Sequence, residues 1–527
     1  MPRHRHTTQA LAPTSMPVVS LLLDGRWTLA FPALALCVQY LRKSTRPPLP
    51  PGPRGLPIVG NIFDVPSGDL WIQFSKLGDL WGGISSVTVF GQTTIIVNSL
   101  KVAEDLLDTH GANFSDRPVI PMGGELVGFN NTLILSQYGE RVRTERKLFH
   151  QVFGSHAAIK PLIPLISTEI HKLLRNLARN PDKVMDEIGR TVGALTLRIA
   201  YGYQTIDGPE QDPYIKMFET AAHDFARTTT PAAFLIDVIP ALRYWPEWLP
   251  GGGFHTTAKI LGKRLHHTID SGLEYVKNQT GTGTAEPSFA SALLQEGSHD
   301  EYLIKWAAAS IQAGGSDTTA AQLKGFFLAM ILYPEVQLAA QKELDSVIGN
   351  DRLPELSDRT QLPYMDALCK EVLRWHVASP IGLPHRTRED FIYDRGGNFK
   401  PLLIPKNSLV ISNLWQMTQD PERYANPMVF EPSRFISTAT KTAEPDPTRI
   451  SFGFGRRICP GKLLADTTLF MACSAILAVF DISKVLENGE FVELRVGQTT
   501  GTVSHPLPFK CSVKPRNSRV LELVHVA

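Results

Sequence analysis

Cysteine is scarce in this chain of 527 residues. Cys37, Cys369, Cys459, Cys473 and Cys511 are the full complement, and they form no close pair and no C-x-x-C. That excludes a disulfide framework and a structural zinc site, and it suits a reducing compartment. An excess of one charge is lacking too. The 53 basic and 51 acidic residues leave a net charge of +2, which excludes a general nucleic-acid-binding surface. No internal repeat is evident, and no G-x-G-x-x-G follows a strand-like run, so the chain has no dinucleotide or flavin module of its own. Length alone favours two or three domains, but nothing in the middle of the chain resembles a linker, which favours one large domain.

Charge is absent from one apolar run at the N-terminus, which sets it apart from the rest. Residues 27–41 are uncharged and mostly apolar and are followed at once by Arg42 and Lys43. Fifteen helical residues would span roughly 22 Å, short of the roughly 30 Å of a bilayer core. Extending back to Leu22 gives a candidate anchor at 22–41 behind a tail at 1–21. Asp24 and Arg26 then lie near one end, within reach of the headgroups. Arg42, Lys43, Arg46 and Arg54 would mark the cytosolic side of a single-pass anchor. A segment lying in the interface and an apolar tail outside the bilayer are the alternatives. The proline-rich stretch at 42–56 cannot be helical and reads as a stiff hinge. The soluble body then occupies 57–527.

Short β-branched runs at 84–89 and 93–97, with Gly91 between them, predict a hairpin. From about residue 105 to 343 the period is mainly helical, interrupted at Pro250-Gly251-Gly252-Gly253 and Gly281-Thr282-Gly283. The last third mixes short strands such as 409–411 with loops and one final helix over 461–480. The expected class is a mainly α, α+β body with small sheets.

The most informative stretch is Ser451-Phe452-Gly453-Phe454-Gly455-Arg456-Arg457-Ile458-Cys459-Pro460-Gly461. Glycines would let its backbone approach a flat ligand. Pro460 suits the first position of a helix. Cys459 would then sit beside free N–H groups, a helix dipole and two arginines, all of which lower a thiol pKa. Phe452, Gly455, Arg457, Cys459 and Gly461 satisfy F-x-x-G-x-R-x-C-x-G, and this segment resembles the haem-binding loop of cytochrome P450 enzymes. The resemblance implies that Cys459 is the axial ligand of a haem b iron, with Phe452, Gly455 and Arg457 in the cofactor site.

Three further segments follow in the family's order. In an apolar helix over 302–330, Ile304, Ala308, Ile311, Gly315, Thr318 and Gln322 share one face that is small at its centre, as a flat macrocycle would need. Gly314 and Gly315 each weaken a helix by about 1 kcal/mol, so the spacing predicts a local opening there. Gly314-Gly315-Ser316-Asp317-Thr318 resembles the oxygen-activation motif; the resemblance assigns Thr318 to bonding dioxygen and Asp317 to relaying protons. Glu371-Val372-Leu373-Arg374, on a helix over 364–375, resembles the family's E-x-x-R. Arg434 of Phe430-Glu431-Pro432-Ser433-Arg434-Phe435 would complete a structural triad with Glu371 and Arg374. Upstream, the segment 138–147 is similar to the W-x-x-x-R helix, with Val142 in the tryptophan position and Arg146 keeping the arginine. By resemblance Arg146, His385 and Arg457 contact haem propionates, and valine leaves one such contact unsupplied.

In wording, including Leu383-Pro384-His385-Arg386 and Ser504-His505-Pro506-Leu507-Pro508-Phe509, the chain resembles fungal microsomal members of secondary-metabolism or xenobiotic type. The resemblance implies a monooxygenase that places one atom of O2 in a hydrophobic small molecule. Electrons would come from an NADPH-cytochrome P450 reductase, with cytochrome b5 as an optional second donor, at the endoplasmic reticulum membrane with the catalytic domain in the cytosol. By family position the pocket would include Phe129, Leu133, Ala308, Ile311, Ile381 and Val503. A haem-thiolate isomerase or dehydratase, needing neither O2 nor reductase, is one rival; a haem sensor without turnover is another.

Overall fold

The computed structural model describes residues 46–526 apart from 66–67, 207–210, 231–232, 395, 398 and 488. The expected tail at 1–21 and anchor at 22–41 therefore lie outside the described residues, as does the start of the hinge. Helix makes up 55% of the described residues, with small sheets. Five helices build the surroundings of the thiolate loop: α1 (Glu140–Phe153), α2 (Val184–Tyr201), α3 (Glu301–Leu332), α4 (Pro363–Trp375) and α5 (Lys462–Val479).

Each helix has a legible start and stop. Asp300 caps α3 by accepting from the Leu303 N–H at 2.7 Å, and Pro334 beyond Tyr333 forbids continuation. Glu343 caps α4 from a distance, its carboxylate accepting from the N–H groups of Tyr364 and Met365 at 2.8 and 2.9 Å. α5 is apolar on every side, which marks a helix that is buried. It is the one unbroken described helix long and apolar enough to cross a membrane, and the fold packs it inside, 72% buried. Leu148 and Phe149 of α1, Val192 and Leu195 of α2, Leu323 and Phe326 of α3, Leu368 of α4 and Phe470 of α5 share one core cluster.

The predicted hairpin forms as β1 (Ile84–Val89) and β2 (Gln92–Val97), with Val89 opposite Gln92. Phe90 and Gly91 both take positive φ, 47° and 81°, the tight turn whose twist matches paired strands. The sheet continues to β4 (Leu409–Ser412), parallel to β2, and then to the two-residue β3 (His385–Arg386), giving the order β1-β2-β4-β3. The parallel pairing joins residues more than 300 positions apart, which no local pattern predicts.

Two compact units are distinguished. In the smaller, 46–49 and 392–403, the Leu403 N–H donates to the Pro48 carbonyl at 2.7 Å. The larger spans 50–391 and 404–526. Its first residues pack on β1: Ser86 donates from its hydroxyl to the Pro50 carbonyl at 2.6 Å and from its N–H to the Pro51 carbonyl at 2.9 Å.

Candidate active site

The loop that carries Cys459 runs from a short helix, Thr448–Ser451, to the start of α5. It is pinned by the Cys459 N–H donating to the Phe452 carbonyl at 2.9 Å. Two expectations about its local conformation change. Gly461 caps α5 and Lys462 is its first residue, so Pro460 precedes the cap rather than opening the helix. Gly455 has φ of 58°, and a Cβ there would lie 1.9 Å from the Leu107 carbonyl oxygen. Its glycine lets the loop pack against 104–109, while Gly453 has open space around it. Phe452 is half-buried and stacks under the Lys462 ammonium, 5.7 Å from the ring centre.

The direction in which the Cys459 thiol is shifted also differs from expectation. Burial pushes the thiol above its ordinary value, outweighing the Gly461 N–H and the positive charges of Arg146 and Lys462 that pull the other way. A desolvated thiol of this kind ionises when a metal cation takes the place of water. Among the described residues no group of three His, Cys, Asp or Glu could hold a metal ion. A metal held by Cys459 and by a macrocycle that brings its own ligands fits such a site.

On the same side of the chain the fold assembles a basic cluster. The Arg386 N–H donates to the Asp116 carbonyl at 2.8 Å, which lays β3 beside 114–117. His385 is buried there, with its Nδ1 2.6 Å from the Phe114 carbonyl oxygen. Arg457 donates from Nε to the Ser115 carbonyl at 2.8 Å and from Nη2 to the Ser136 carbonyl. Arg117, 4% exposed, donates from Nη1 to the Leu383 and Pro384 carbonyls at 2.7 and 2.9 Å, and its Nε is buried with no partner.

These groups repel one another. Burial and the neighbouring Arg146 pull Arg457 down to about 10. Burial, Arg457 and Arg146 together lower Arg117, and burial with Arg117 and Arg457 lowers His385. Burial also lowers Arg146, against the opposing influence of Cys459. The carboxylates that act on Arg457 have other partners: Asp116 bonds Arg388 at 3.0 Å and Glu145 bonds Arg141 at 2.9 Å. A buried cationic cluster without its own anion calls for one, and the carboxylates of a haem fit it. Arg117 brings to this cluster a buried, unpartnered N–H, which Val142, fully buried in α1, does not have. Sequence reading missed it because Arg117 adjoins Asp116, and the two look like a local pair until Arg388 is seen to hold the aspartate.

On α3 the helix runs unbroken through Gly314 and Gly315, so the expected opening is not present. The Thr318 hydroxyl donates to the Gly314 carbonyl at 2.8 Å. The small face is also shifted from its expected position. A Cβ on Gly315 would lie 2.8 Å from the Thr196 side chain, so Gly315 serves the close contact with α2. Gly314, one turn before Thr318, borders open space. Burial pushes Asp317 up, but the His505 hydrogen bond, with Lys324 and His223 nearby, outweighs it and holds the carboxyl below its ordinary value.

Glu371, Arg374 and Arg434 meet with no exposed side-chain surface. Arg374 donates to both Glu371 oxygens at 2.7 and 2.8 Å, and Arg434 Nε donates to Oε1 at 3.1 Å. The structure adds Glu444, which accepts from Arg434 at 2.7 Å. Of the pocket candidates, Leu133, Ala308 and Ile311 join the main core cluster, and Phe129 packs edge-on against Phe225 in a second. Ile381 packs instead on the sheet, against the cluster of Phe74, Val87, Ile96 and Ile411. Val503 is half-buried.

Comparison with known proteins agrees with this geometry. The family model described as cytochrome P450 matches residues 50–512. Cytochrome P450 monooxygenase 208 of Postia placenta is 46% identical over 96% of this chain and 97% of the relative. Cytochrome P450 monooxygenase claR of Ampulloclitocybe clavipes is 45% identical over 94% of this chain and 92% of the relative. The tryptamine 4-monooxygenase of Psilocybe cyanescens is 38% identical over 93% and 98%. With a cysteine loop and a basic cluster suited to haem b, and with relatives named as monooxygenases of this kind, the chain belongs to the cytochrome P450 family and is an oxygen-incorporating oxidoreductase of small molecules.

Proposed function

We propose that this enzyme oxygenates an apolar small molecule of fungal secondary or xenobiotic metabolism, drawing electrons from an NADPH-dependent flavoprotein reductase. Two electrons and two protons accompany each O2; one oxygen enters the substrate and the other leaves as water. The observation that carries this reading is the buried Cys459 thiol with Arg146 acting on it, beside the anion-seeking cluster that Arg146 forms with Arg117, Arg457 and His385. When bound, haem supplies the iron chemistry that activates oxygen. The protein's share is narrower. Cys459 holds the metal, the arginines and His385 seat the carboxylates, and the apolar Leu133, Ala308 and Ile311 exclude water. Asp317 and Thr318 hold and pass protons, the acid at the carboxylate oxygen that His505 does not occupy and the alcohol at Oγ1.

The test is product formation with reductase and NADPH across a panel of lipophilic compounds preselected by haem spin-state shift. Product formed equally well without reductase would replace this reading with an isomerase or dehydratase. Within the same assay, Thr318→Ala should retain haem and substrate affinity, while the fraction of NADPH recovered as product falls about tenfold and peroxide rises. That is part of the roughly 100-fold or more that positioned proton transfer supplies. Unchanged coupling would leave Thr318 as a helix residue bonded to Gly314.

A membrane site suits the larger unit, where Leu56, Ile58 and Phe63 are exposed just after the proline-rich stretch. The reductase would dock on the exposed Arg143, Lys147 and Arg456, near the thiolate side. Lys462 contributes less, because its ammonium donates to the Thr448 carbonyl at 3.0 Å. Surface charges mainly steer association, and they are screened over about 8 Å at physiological salt. Reductase-driven haem reduction should therefore slow as ionic strength rises, and reversal of Arg143 and Lys147 should slow it at low salt. Identical, salt-insensitive rates in both proteins would remove this docking face.

A further inference from the structure

The side chains of Asp317 and His505 connect two parts of the chain that the oxygenase reading leaves separate. Asp317 precedes Thr318 on α3, and its Oδ1 lies 2.9 Å from Nε2 of His505. His505 closes a turn over 499–505. The Thr499 N–H donates to the His505 carbonyl at 2.8 Å, and the His505 N–H donates to the Thr499 hydroxyl at 2.9 Å. The turn is tied in its middle to the segment before β3. Ser504 donates its N–H to the Ala378 carbonyl at 2.8 Å, and Ser379 donates its hydroxyl to the Thr502 carbonyl at 3.0 Å. His505 therefore cannot move independently of the turn that carries Val503.

The other edge of the ring faces the interior. Nδ1 of His505 is buried with no partner, as is Nε2 of His376, a fully buried neighbour. With no acceptor at Nδ1, the neutral ring keeps its proton on Nε2 and donates it to Asp317. Lys324 of α3 and His223 of the helix Pro213–Thr229 are the other charged or titratable groups acting on the carboxylate.

We propose that His505 is a positioning residue for the proton-relay acid: the turn that carries Val503 holds His505, and His505 holds the Asp317 carboxylate in line with Thr318. The proposal rests on the reading of Asp317 and Thr318 as the relay pair. It adds a link between occupancy and proton delivery, because a substrate seated against Val503 steadies the turn and hence the acid. Nothing is transferred to or from His505 in this role; it donates one hydrogen bond throughout.

The experiment compares wild type, His505→Ala, His505→Gln, Asp317→Asn and Asp317→Ala as full chains loaded with haem and supplied with reductase and a turned-over substrate. His505→Ala should keep the reduced, CO-bound thiolate spectrum and bind substrate within about twofold. Its yield of product per NADPH should fall about tenfold, part of what positioned proton transfer contributes. His505→Gln, whose amide N–H can reach the same carboxylate, should recover most of that yield. A second readout is independent of turnover: ethoxyformylation of His505, followed by peptide mass spectrometry, should accelerate in Asp317→Ala, which frees Nε2. Wild-type yield in His505→Ala, or a His505→Gln as leaky as the alanine variant, would overturn the proposal. So would unchanged ethoxyformylation. Wild-type yield in Asp317→Asn would instead remove the relay reading beneath it.

Discussion

Cys459→Ala is expected to give a folded chain that has lost all oxygenase activity and the Soret band of thiolate-ligated, reduced, CO-bound haem. The fold should survive because the bond that pins the loop, from the residue 459 N–H to the Phe452 carbonyl, belongs to the backbone and is untouched. The basic cluster is untouched as well, so haem can still be drawn in by its carboxylates but without a sulfur to bind its iron. No other cysteine can substitute among the described residues. Cys369, Cys473 and Cys511 are all buried in the core, and burial pushes the latter two thiols upward. A variant that still showed the thiolate band would overturn the assignment of Cys459 as ligand. A variant that lost haem and fold together would show that the thiol also carries structural weight.

The second large effect falls on stability. Glu371→Gln removes one carboxylate from between two guanidinium groups that have no exposed surface. Breaking a buried ion pair by neutralising one partner leaves uncompensated charge and costs about 3–5 kcal/mol. A typical folded chain has only about 5–15 kcal/mol in hand. The variant should therefore express largely unfolded or without haem, with a sharply lower urea midpoint. Glu444→Gln is the graded control. Its carboxylate meets one guanidinium, that of Arg434, and the Ala425 N–H at 3.3 Å, and Arg434 keeps Glu371, so its midpoint should fall less. Equal midpoints for wild type and Glu371→Gln would show the triad to be dispensable. The contrast also bears on how such motifs are read: at i and i+3 on an exposed helix the same Glu–Arg pair contributes a few tenths of a kcal/mol. Burial, which the sequence does not display, turns it into a keystone of the core.

Much of the site could be read before the fold was known. The thiolate loop, the Gly314–Thr318 segment and the order of Glu371, Arg374 and Arg434 are local patterns, and each falls on the element expected for it. The helix over 302–330 appears as Glu301–Leu332 and that over 364–375 as Pro363–Trp375, because capping residues and prolines act within a turn of the boundary. Beyond the helix opening expected at Gly314 and Gly315 and the place of Pro460, the misreadings were of side-chain environment. Helical spacing placed Gly315 on the open face, whereas the proximity of α2 decides that Gly314 borders the space and Gly315 meets Thr196. Local logic lowered the Cys459 thiol, whereas burial raises it.

What the sequence by itself determined is therefore the chemistry available: one cysteine before a helix, an acid and an alcohol side by side, and an arginine-bearing helix with valine where tryptophan is usual. These are set within a few residues, where backbone geometry and chain order suffice. Only the tertiary structure decided how those groups are charged and held. Arg117 joined the buried basic cluster, His505 came to Asp317 across 188 positions, and Glu444 was added to the triad. Each depends on desolvation and on contacts between segments far apart in the chain, and both arise only when the helices pack and exclude water.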